Sequence, residues 1–296
     1  MRNAIRMGID HGLVNILSDF LKDRKNIVSV DGQFSEWRTV NRGVGQGTVQ
    51  GPIIFLIATA FMPLHEPHVS YADDTTFIFN GYHDVGSIRE KIELLGDEYA
   101  NLGLDLNPAK TVIMQVGGKI SHPDVHDKLK ILGVQLEANI GVCNYVRGKC
   151  RSLTAGIYAI RRIASDLGLS IYQCDVLFKQ LAVSRLFYAV EFWWPLLRKS
   201  DKIVIQRVIH KAKTNGVLLS TFNVESVVLN RQLALFKKLC SDGYFCRYAP
   251  NLAHSGRRYL APKITSERER KFFMNYMQFY CINNKLLLQN LRPRYV

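Results

Sequence analysis

Hydrophobic positions first fall into a regular pattern at residues 11–22, where Leu13, Ile16, Leu17 and Phe20 recur at helical spacing behind Asp10, a suitable N-cap. Asn26–Val30 and Gln33–Val40 flank Asp31-Gly32, a dipeptide that predicts a β-hairpin with a tight turn. The Gly-rich run Gly43-Val44-Gly45-Gln46-Gly47 precedes an apolar helix predicted to start near Pro52. Val69 to Asn80 alternates and is rich in β-branched and aromatic residues, except for Asp73 and Asp74 in its middle. Ile88–Leu102 predicts an amphipathic helix ended by Gly103, and two short strands are expected at Thr111–Val116 and Leu129–Leu136.

After residue 145 strand signals fade and helical periodicity takes over. Ile171, Cys174, Phe178, Leu181 and Ala182 make one apolar stripe. Ile205, Val208, Ile209 and Ala212 make another, with Arg207 and Lys211 on the opposite face. No internal repeat occurs at the usual periods.

Composition fits this picture. The 296 residues suffice for one large domain or two ordinary ones, and 47% hydrophobic with 22% charged excludes a disordered chain. Charge sharpens the division. Residues 1–140 hold 13 basic and 17 acidic residues, net −4; residues 141–296 hold 26 and 8, net +18, which together make the chain's +14. A strongly basic half suggests a polyanionic partner, and a mildly acidic half suggests metal chemistry.

No secretory signal is evident at Met1–Arg6, and the apolar run Gly51–Leu64 is shorter than the roughly 20 residues that span a bilayer. The run Leu181–Leu197 is interrupted by Arg185 and Glu191. The expectation is an intracellular chain with no membrane span, nuclear or cytoplasmic. Its six cysteines contain no CxxC pair and read as reduced thiols; Cys240, Cys246 and His254 match no common zinc spacing.

Tyr71-Ala72-Asp73-Asp74 is the segment that points to chemistry. Acidic residues are depleted in strands and costly when buried without a cation. In a continuous strand the two carboxylates would face opposite ways; at a hairpin tip both can approach one side and hold Mg²⁺, which takes carboxylates together with substrate phosphates. A plain surface turn is the alternative for an isolated Asp-Asp.

Its companions decide between these readings. In order come Arg42-Gly43-Val44-Gly45-Gln46-Gly47-Thr48-Val49-Gln50-Gly51-Pro52-Ile53-Ile54-Phe55, then Tyr71-Ala72-Asp73-Asp74, then Gly103-Leu104-Asp105-Leu106-Asn107-Pro108-Ala109-Lys110-Thr111, then Ile131-Leu132-Gly133-Val134. The series resembles palm motifs B, C, D and E of the reverse transcriptases of non-LTR (LINE-type) retrotransposons. Arg185–Trp194 and the basic helix Asp201–Thr214 resemble the thumb of that family. The fold so implied is α+β: a partial fingers–palm of a right-hand polymerase, with an antiparallel sheet and helices over 1–140, a helical basic thumb over 141–220 and a basic helical C-terminal extension over 221–296.

The resemblance implies RNA-directed DNA polymerisation by two-metal nucleotidyl transfer with Mg²⁺ or Mn²⁺. Its partners would be an RNA template, a DNA primer and deoxynucleoside triphosphates. Asp73 and Asp74 would be the metal-binding carboxylates, Tyr71 would pack near the primer end, and Gln46 and Gly47 would meet the incoming nucleotide. Lys110 is either the motif D proton donor to pyrophosphate or a solvated lysine. In the basic half, Arg147, Lys149, Arg151, Arg161, Arg162, Arg207 and Lys211 are candidates for phosphate contact. Trp193 and Trp194 are more readily read as core than as stacking platforms.

Some positions depart from the family pattern. Gly45 stands where motif B usually has proline, which predicts a looser loop, and Gln50 stands where an apolar residue is common. Motif A, which supplies the other catalytic aspartate, has no counterpart: Asp10, Asp19, Asp23 and Asp31 all lie in caps, helices or turns rather than in an apolar strand. The expectation is an N-terminally truncated enzyme, inactive alone, whose two carboxylates form a weak cation site. A non-catalytic nucleic-acid-binding remnant using the basic half is the alternative, and an expressed product with no stable role is a third. A group II intron maturase would share motifs B and C, but the short interval from Phe55 to Tyr71 and the Ile131–Val134 strand favour the LINE type.

Overall fold

The computed structural model describes residues 1–40, 43–45, 47–79, 84–116, 122–138, 142–241, 264 and 273–283. The chain forms two compact units, Met1–Thr111 and Val112–Val296. The change of charge near residue 140 is a separate matter from this division by packing, because the strands just before it fold against the helices just after.

In the first unit, α1 (Arg2–Arg6), α2 (His11–Leu21) and α3 (Gly51–Thr59) enclose a small core of Ala4, Val14, Leu17, Ile54 and Ile57. Asp10 caps α2 as its chemistry suggests, accepting from Gly12 N at 2.8 Å and Leu13 N at 3.3 Å. The face expected for α2 is only partly used: Leu17 is buried, whereas Leu13, Ile16 and Phe20 are exposed. The Asn3 amide ties α1 to α3 through the carbonyls of Ile57 and Ala58.

The Asp-Gly hairpin forms as two short ladders, β1 (Lys25–Asn26) with β4 (Arg38–Thr39) and β2 (Ser29–Val30) with β3 (Gln33–Phe34). Asp31 and Gly32 both adopt positive φ, +50° and +79°, the turn that matches strand twist. A second hairpin pairs β5 (His68–Tyr71) with β6 (Asp74–Phe77). Behind it α4 (Val85–Asn101) ends where Gly103, at φ +73°, lets Leu104 N reach Tyr99 O at 2.9 Å.

The second unit opens with β7 (Ile113–Met114), which pairs in parallel with β8 (Val125–His126). The expected single strand Leu129–Leu136 is instead a hairpin, β9 (Lys128–Ile131) and β10 (Val134–Glu137), because Leu132 and Gly133 both take positive φ, +45° and +83°. The single antiparallel sheet expected for the α+β half is likewise five two-stranded ladders among the described residues. Helices follow: α5 (Cys143–Leu167), α6 (Ile171–Phe178), a π-turn (Lys179–Val183) running into α7 (Ser184–Phe187), and α8 (Val190–Trp193). Then come α9 (Lys199–Thr214), α10 (Val224–Ser241) and α11 (Phe273–Asn283).

The α5 core stripe of Val146, Cys150, Leu153, Ile157 and Ile160 packs with Phe178, Leu186, Trp193, Ile205 and Ile209. Trp193 and Trp194 are 1% and 2% exposed, so the stacking alternative is excluded; Trp193 Nε1 donates to Tyr188 O at 3.0 Å. A carboxylate pins the loop after α9. Asp175 Oδ1 accepts from Leu219 N at 2.9 Å, while its Oδ2 accepts from Lys179 Nζ at 2.7 Å. Phe236, Cys240, Phe273, Met277 and Cys281 form a smaller core between α10 and α11. Cys143, Cys150, Cys174 and Cys281 are free thiols, and among the described residues no helix is long and apolar enough to cross a membrane. The basic clusters at Arg257-Arg258 and Arg268–Lys271, together with Cys246 and His254, lie outside the described residues.

Candidate functional site

The β5–β6 hairpin places the paired aspartates at its tip. Tyr71 and Asp74 are the closing pair, and Ala72-Asp73 is the two-residue turn. Ala72 holds φ +51°, a left-handed conformation that a residue with a Cβ adopts at a cost. The strands are fixed from one side. Ser70 Oγ and Thr75 Oγ1 meet at 3.1 Å, Thr75 Oγ1 meets Tyr99 Oη of α4 at 3.2 Å, and Lys91 of α4 pairs with Glu66. The His68 and Phe77 rings stand 5.8 Å apart across the ladder.

Asp73, Asp74 and Tyr71 are all solvent-exposed, and among the described residues neither carboxylate has an ion-pair partner. Exposed, neighbouring carboxylates are hard oxygen donors, the kind that bind Mg²⁺ in company with phosphate oxygens. Among the described residues no third His, Cys, Asp or Glu joins them in a metal-sized cluster. All four residues of β5 are exposed, and α4 buries none of its residues. Two strands alone are a marginal sheet in water, so this face carries little packing of its own.

The Gly-rich loop before α3 is closed rather than loose. Thr48 Oγ1 donates to Gly45 O at 2.8 Å and accepts from Gly51 N at 3.1 Å, bridging the two ends of the turn. A Cβ on Gly45 would lie 2.9 Å from Thr48 Cγ2, so a larger residue here would require Thr48 to shift. Gly47 holds φ +78°. Gln46 and Arg42 lie outside the described residues. Lys110 is exposed in a turn built on Asn107, whose Oδ1 accepts from Ala109 N at 3.1 Å. Among the described residues no hydrogen bond or ion pair joins Lys110 to Asp73 or Asp74.

The basic candidates separate by helix geometry. Arg147, Arg151, Arg161 and Arg162 are exposed on one side of α5, and Arg207 and Lys211 are exposed on α9, which packs against it. Lys149 follows Arg147 by two residues, a rotation of about 200°, and points elsewhere. Its Nζ donates to Arg185 O at 2.5 Å and sits 4.8 and 5.7 Å from the centroids of the Tyr145 and Tyr188 rings. Burial holds its ammonium below the usual lysine range.

Lys149 lines an open groove of about 680 Å³ between the β9–β10 turn, the first half of α5 and the π-turn. Tyr188 spans the same groove, donating from Oη to Leu132 O at 2.6 Å. Burial raises the Tyr145 phenol. Tyr158, Tyr145 and Tyr188 were not among the sequence candidates. Tyr158 was detectable: it sits seven residues after Arg151, on the same helical face. Tyr188 carries no such local signal.

The family comparison bears on these motifs. The family described as reverse transcriptase (RNA-dependent DNA polymerase) matches residues 2–136, which include the loop before α3 and both hairpin aspartates. This stretch is similar to the reverse transcriptases, and the mobile-element relatives described next support the non-LTR, LINE type. Two curated relatives come from Drosophila melanogaster. The RNA-directed DNA polymerase from mobile element jockey is 21% identical over 202 residues, covering 60% of this chain and 22% of that protein. The probable RNA-directed DNA polymerase from transposon BS is 27% identical over 246 residues, covering 74% of this chain and 27% of that protein. The chain thus spans about a quarter of the length of either relative, and both alignments are longer than the matched reverse transcriptase stretch. No solved structure matches the chain.

Proposed function

We propose that this chain carries part of an RNA-directed DNA polymerase, in which the β5–β6 hairpin holds a divalent cation and the second unit holds nucleic acid. One observation carries the reading: a reverse transcriptase stretch presents two adjacent, exposed carboxylates at a hairpin tip. In right-hand terms the hairpin and α3 belong to the palm and fingers, and α5 to α9 to the thumb. Asp73 and Asp74 would hold Mg²⁺ or Mn²⁺. When bound, such an ion neutralises charge on phosphate oxygens and lowers the pKa of an attacking hydroxyl. Tyr71, beside the pair, would support the primer end, and the closed Gly45–Gly51 turn would let backbone approach template and nucleotide. Lys110 would serve as a proton donor to pyrophosphate.

Two-metal transfer requires a bridging carboxylate beyond two chain neighbours. The pair is therefore assigned as part of a centre, and this chain alone is expected to bind cations weakly and to extend primers poorly.

A second reading, nucleic-acid binding without catalysis, is favoured by the net charge of +18 over residues 141–296 and by the exposed row on α5 and α9. Primer extension on an RNA template separates the two, with wild type and Asp73→Ala compared with and without Mg²⁺. Extension by wild type and not by Asp73→Ala upholds the polymerase reading and overturns the expected weakness. No extension by either, with tight binding that falls steeply with salt, supports the second reading. Six phosphate contacts on a single strand would give a slope of log affinity on log salt of about −4.

A further inference from the structure

We propose that Tyr158 is a stacking platform and that the α5–α9 face takes an unpaired nucleic-acid strand. The proposal rests on the reading that the second unit binds nucleic acid, and it names which form of nucleic acid and which aromatic residue.

The face is a row on one side of a helix. Counting from Arg147, the positions Arg151, Thr154, Tyr158, Arg161, Arg162 and Ser165 fall within about 100° of one another around α5, to one side of the buried stripe Val146–Cys150–Leu153–Ile157–Ile160. From Cys143 to Ser165 the helix contains no acidic residue; its first is Asp166. From Arg147 to Arg161, roughly 21 Å, a phosphate backbone laid along the row would pass no carboxylate of α5.

Tyr158 sits in the middle of that row and is 50% exposed. An exposed tyrosine is unremarkable by itself, but its surroundings organise this one. Lys211 reaches across from α9 and places Nζ 5.1 Å from the ring centroid, so a cation steadies the ring while keeping its own donors for phosphate. Three residues on, Arg161 Nη1 donates to Asn215 Oδ1 at 2.9 Å, which ties this guanidinium to the end of α9. The neighbouring Arg162 is 87% exposed, 4.0 Å from Asp166 and free to rotate toward a ligand.

This arrangement separates single strands from duplexes. A duplex seals its bases inside the stack and offers phosphates and sugars to the face, so the arginines would act and the ring would add little. An unpaired strand exposes π-faces, and a positively charged track with an interleaved aromatic is the combination that binds one without regard to sequence.

The test is fluorescence anisotropy with the full chain and three labelled probes of equal length: a single-stranded RNA, the same strand with abasic sugars, and a blunt RNA–DNA duplex. Tyr158→Ala is expected to weaken the intact strand about tenfold and to leave the abasic strand and the duplex unchanged. Tyr158→Phe should bind the intact strand like wild type. Arg151→Ala should weaken all three probes and reduce the salt slope by about one.

Equal loss on intact and abasic strands after Tyr158→Ala, or no loss on either, overturns the platform. Tighter binding of wild type to the duplex than to the strand overturns the unpaired-strand assignment while leaving the nucleic-acid reading intact. If wild type binds none of the probes, the nucleic-acid reading itself fails. The ring is half in solvent, so an unchanged circular-dichroism melt is expected for Tyr158→Ala and certifies the comparison.

Discussion

Asp175→Ala would disturb the packing that holds α9 on α5, and with it the basic face. Asp175 is 5% exposed and lies on α6, where its two oxygens are divided between Lys179 and the amide of Leu219 in the loop after α9. Truncation leaves the partly buried Leu219 N–H without an acceptor, which costs about 1–3 kcal/mol. Lys179 is half-exposed and returns to water, so its share is only about 0.5 kcal/mol. The sum is about 2–3 kcal/mol, or a drop in Tm of about 5–10 °C for a unit of this size. Asp175→Asn keeps an acceptor for Leu219 and should lose about half as much.

The pH dependence has a definite sign. Burial alone pushes the Asp175 carboxyl up, but the hydrogen bonds from Lys179 and Leu219 N outweigh it and hold the group below its ordinary 3.8. A depressed carboxylate contributes stability above its unfolded pKa and loses it as pH falls through the folded value. The gap between wild type and Asp175→Asn is therefore full at neutral pH, shrinks below about pH 4 and closes in stronger acid. Thermal melts followed by circular dichroism across that range measure it. Equal melting of wild type and Asp175→Ala at neutral pH would refute the reasoning, as would a gap for Asp175→Asn that survives unchanged in acid.

Three other outcomes are expected. Leu132→Gly removes a bulky side chain from a residue held at φ +45° and should raise stability by about 1 kcal/mol, whereas Gly133→Ala, at φ +83°, should lower it; urea titration reads both. Gly156→Leu would force the α5 crossing apart, because a Cβ there already lies 3.2 Å from Ala182 Cβ, and a loss of about 1–3 kcal/mol should show in the same assay. The Cys281 thiol is fully buried and pushed up to about 11, so iodoacetamide at pH 8 should spare it in the native chain and label it in urea, as read by peptide mass spectrometry.

The features legible in the sequence are those decided within a few residues. Asp10 caps α2 through its own side chain, and Asp31-Gly32 turns a hairpin because both residues tolerate positive φ. Asp73 and Asp74 reach one hairpin tip because the alternating segments on either side of them pair antiparallel. The order of four motifs likewise needed no coordinates to indicate a reverse transcriptase, since each is a local string. Leu132-Gly133 shows the limit of this approach: leucine at positive φ has no local reason, so Leu129–Leu136 read as one strand. The turn is held from far along the chain, by Tyr188 Oη on Leu132 O.

Tertiary structure decided the direction and surroundings of side chains whose chemistry admits two uses. Trp193 and Trp194 could stack or pack, and burial under α5 and α9 made them core. Lys149 and Arg147 look alike in the sequence. The 3.6-residue period sends Lys149 into a groove against Arg185 O and leaves Arg147 in solvent with Arg151 and Arg161. The sequence alone determined which strings of residues are present and which turns they make. Packing determined which of two similar cations is a strut and which is free to meet a phosphate, because that choice depends on neighbours tens of residues away.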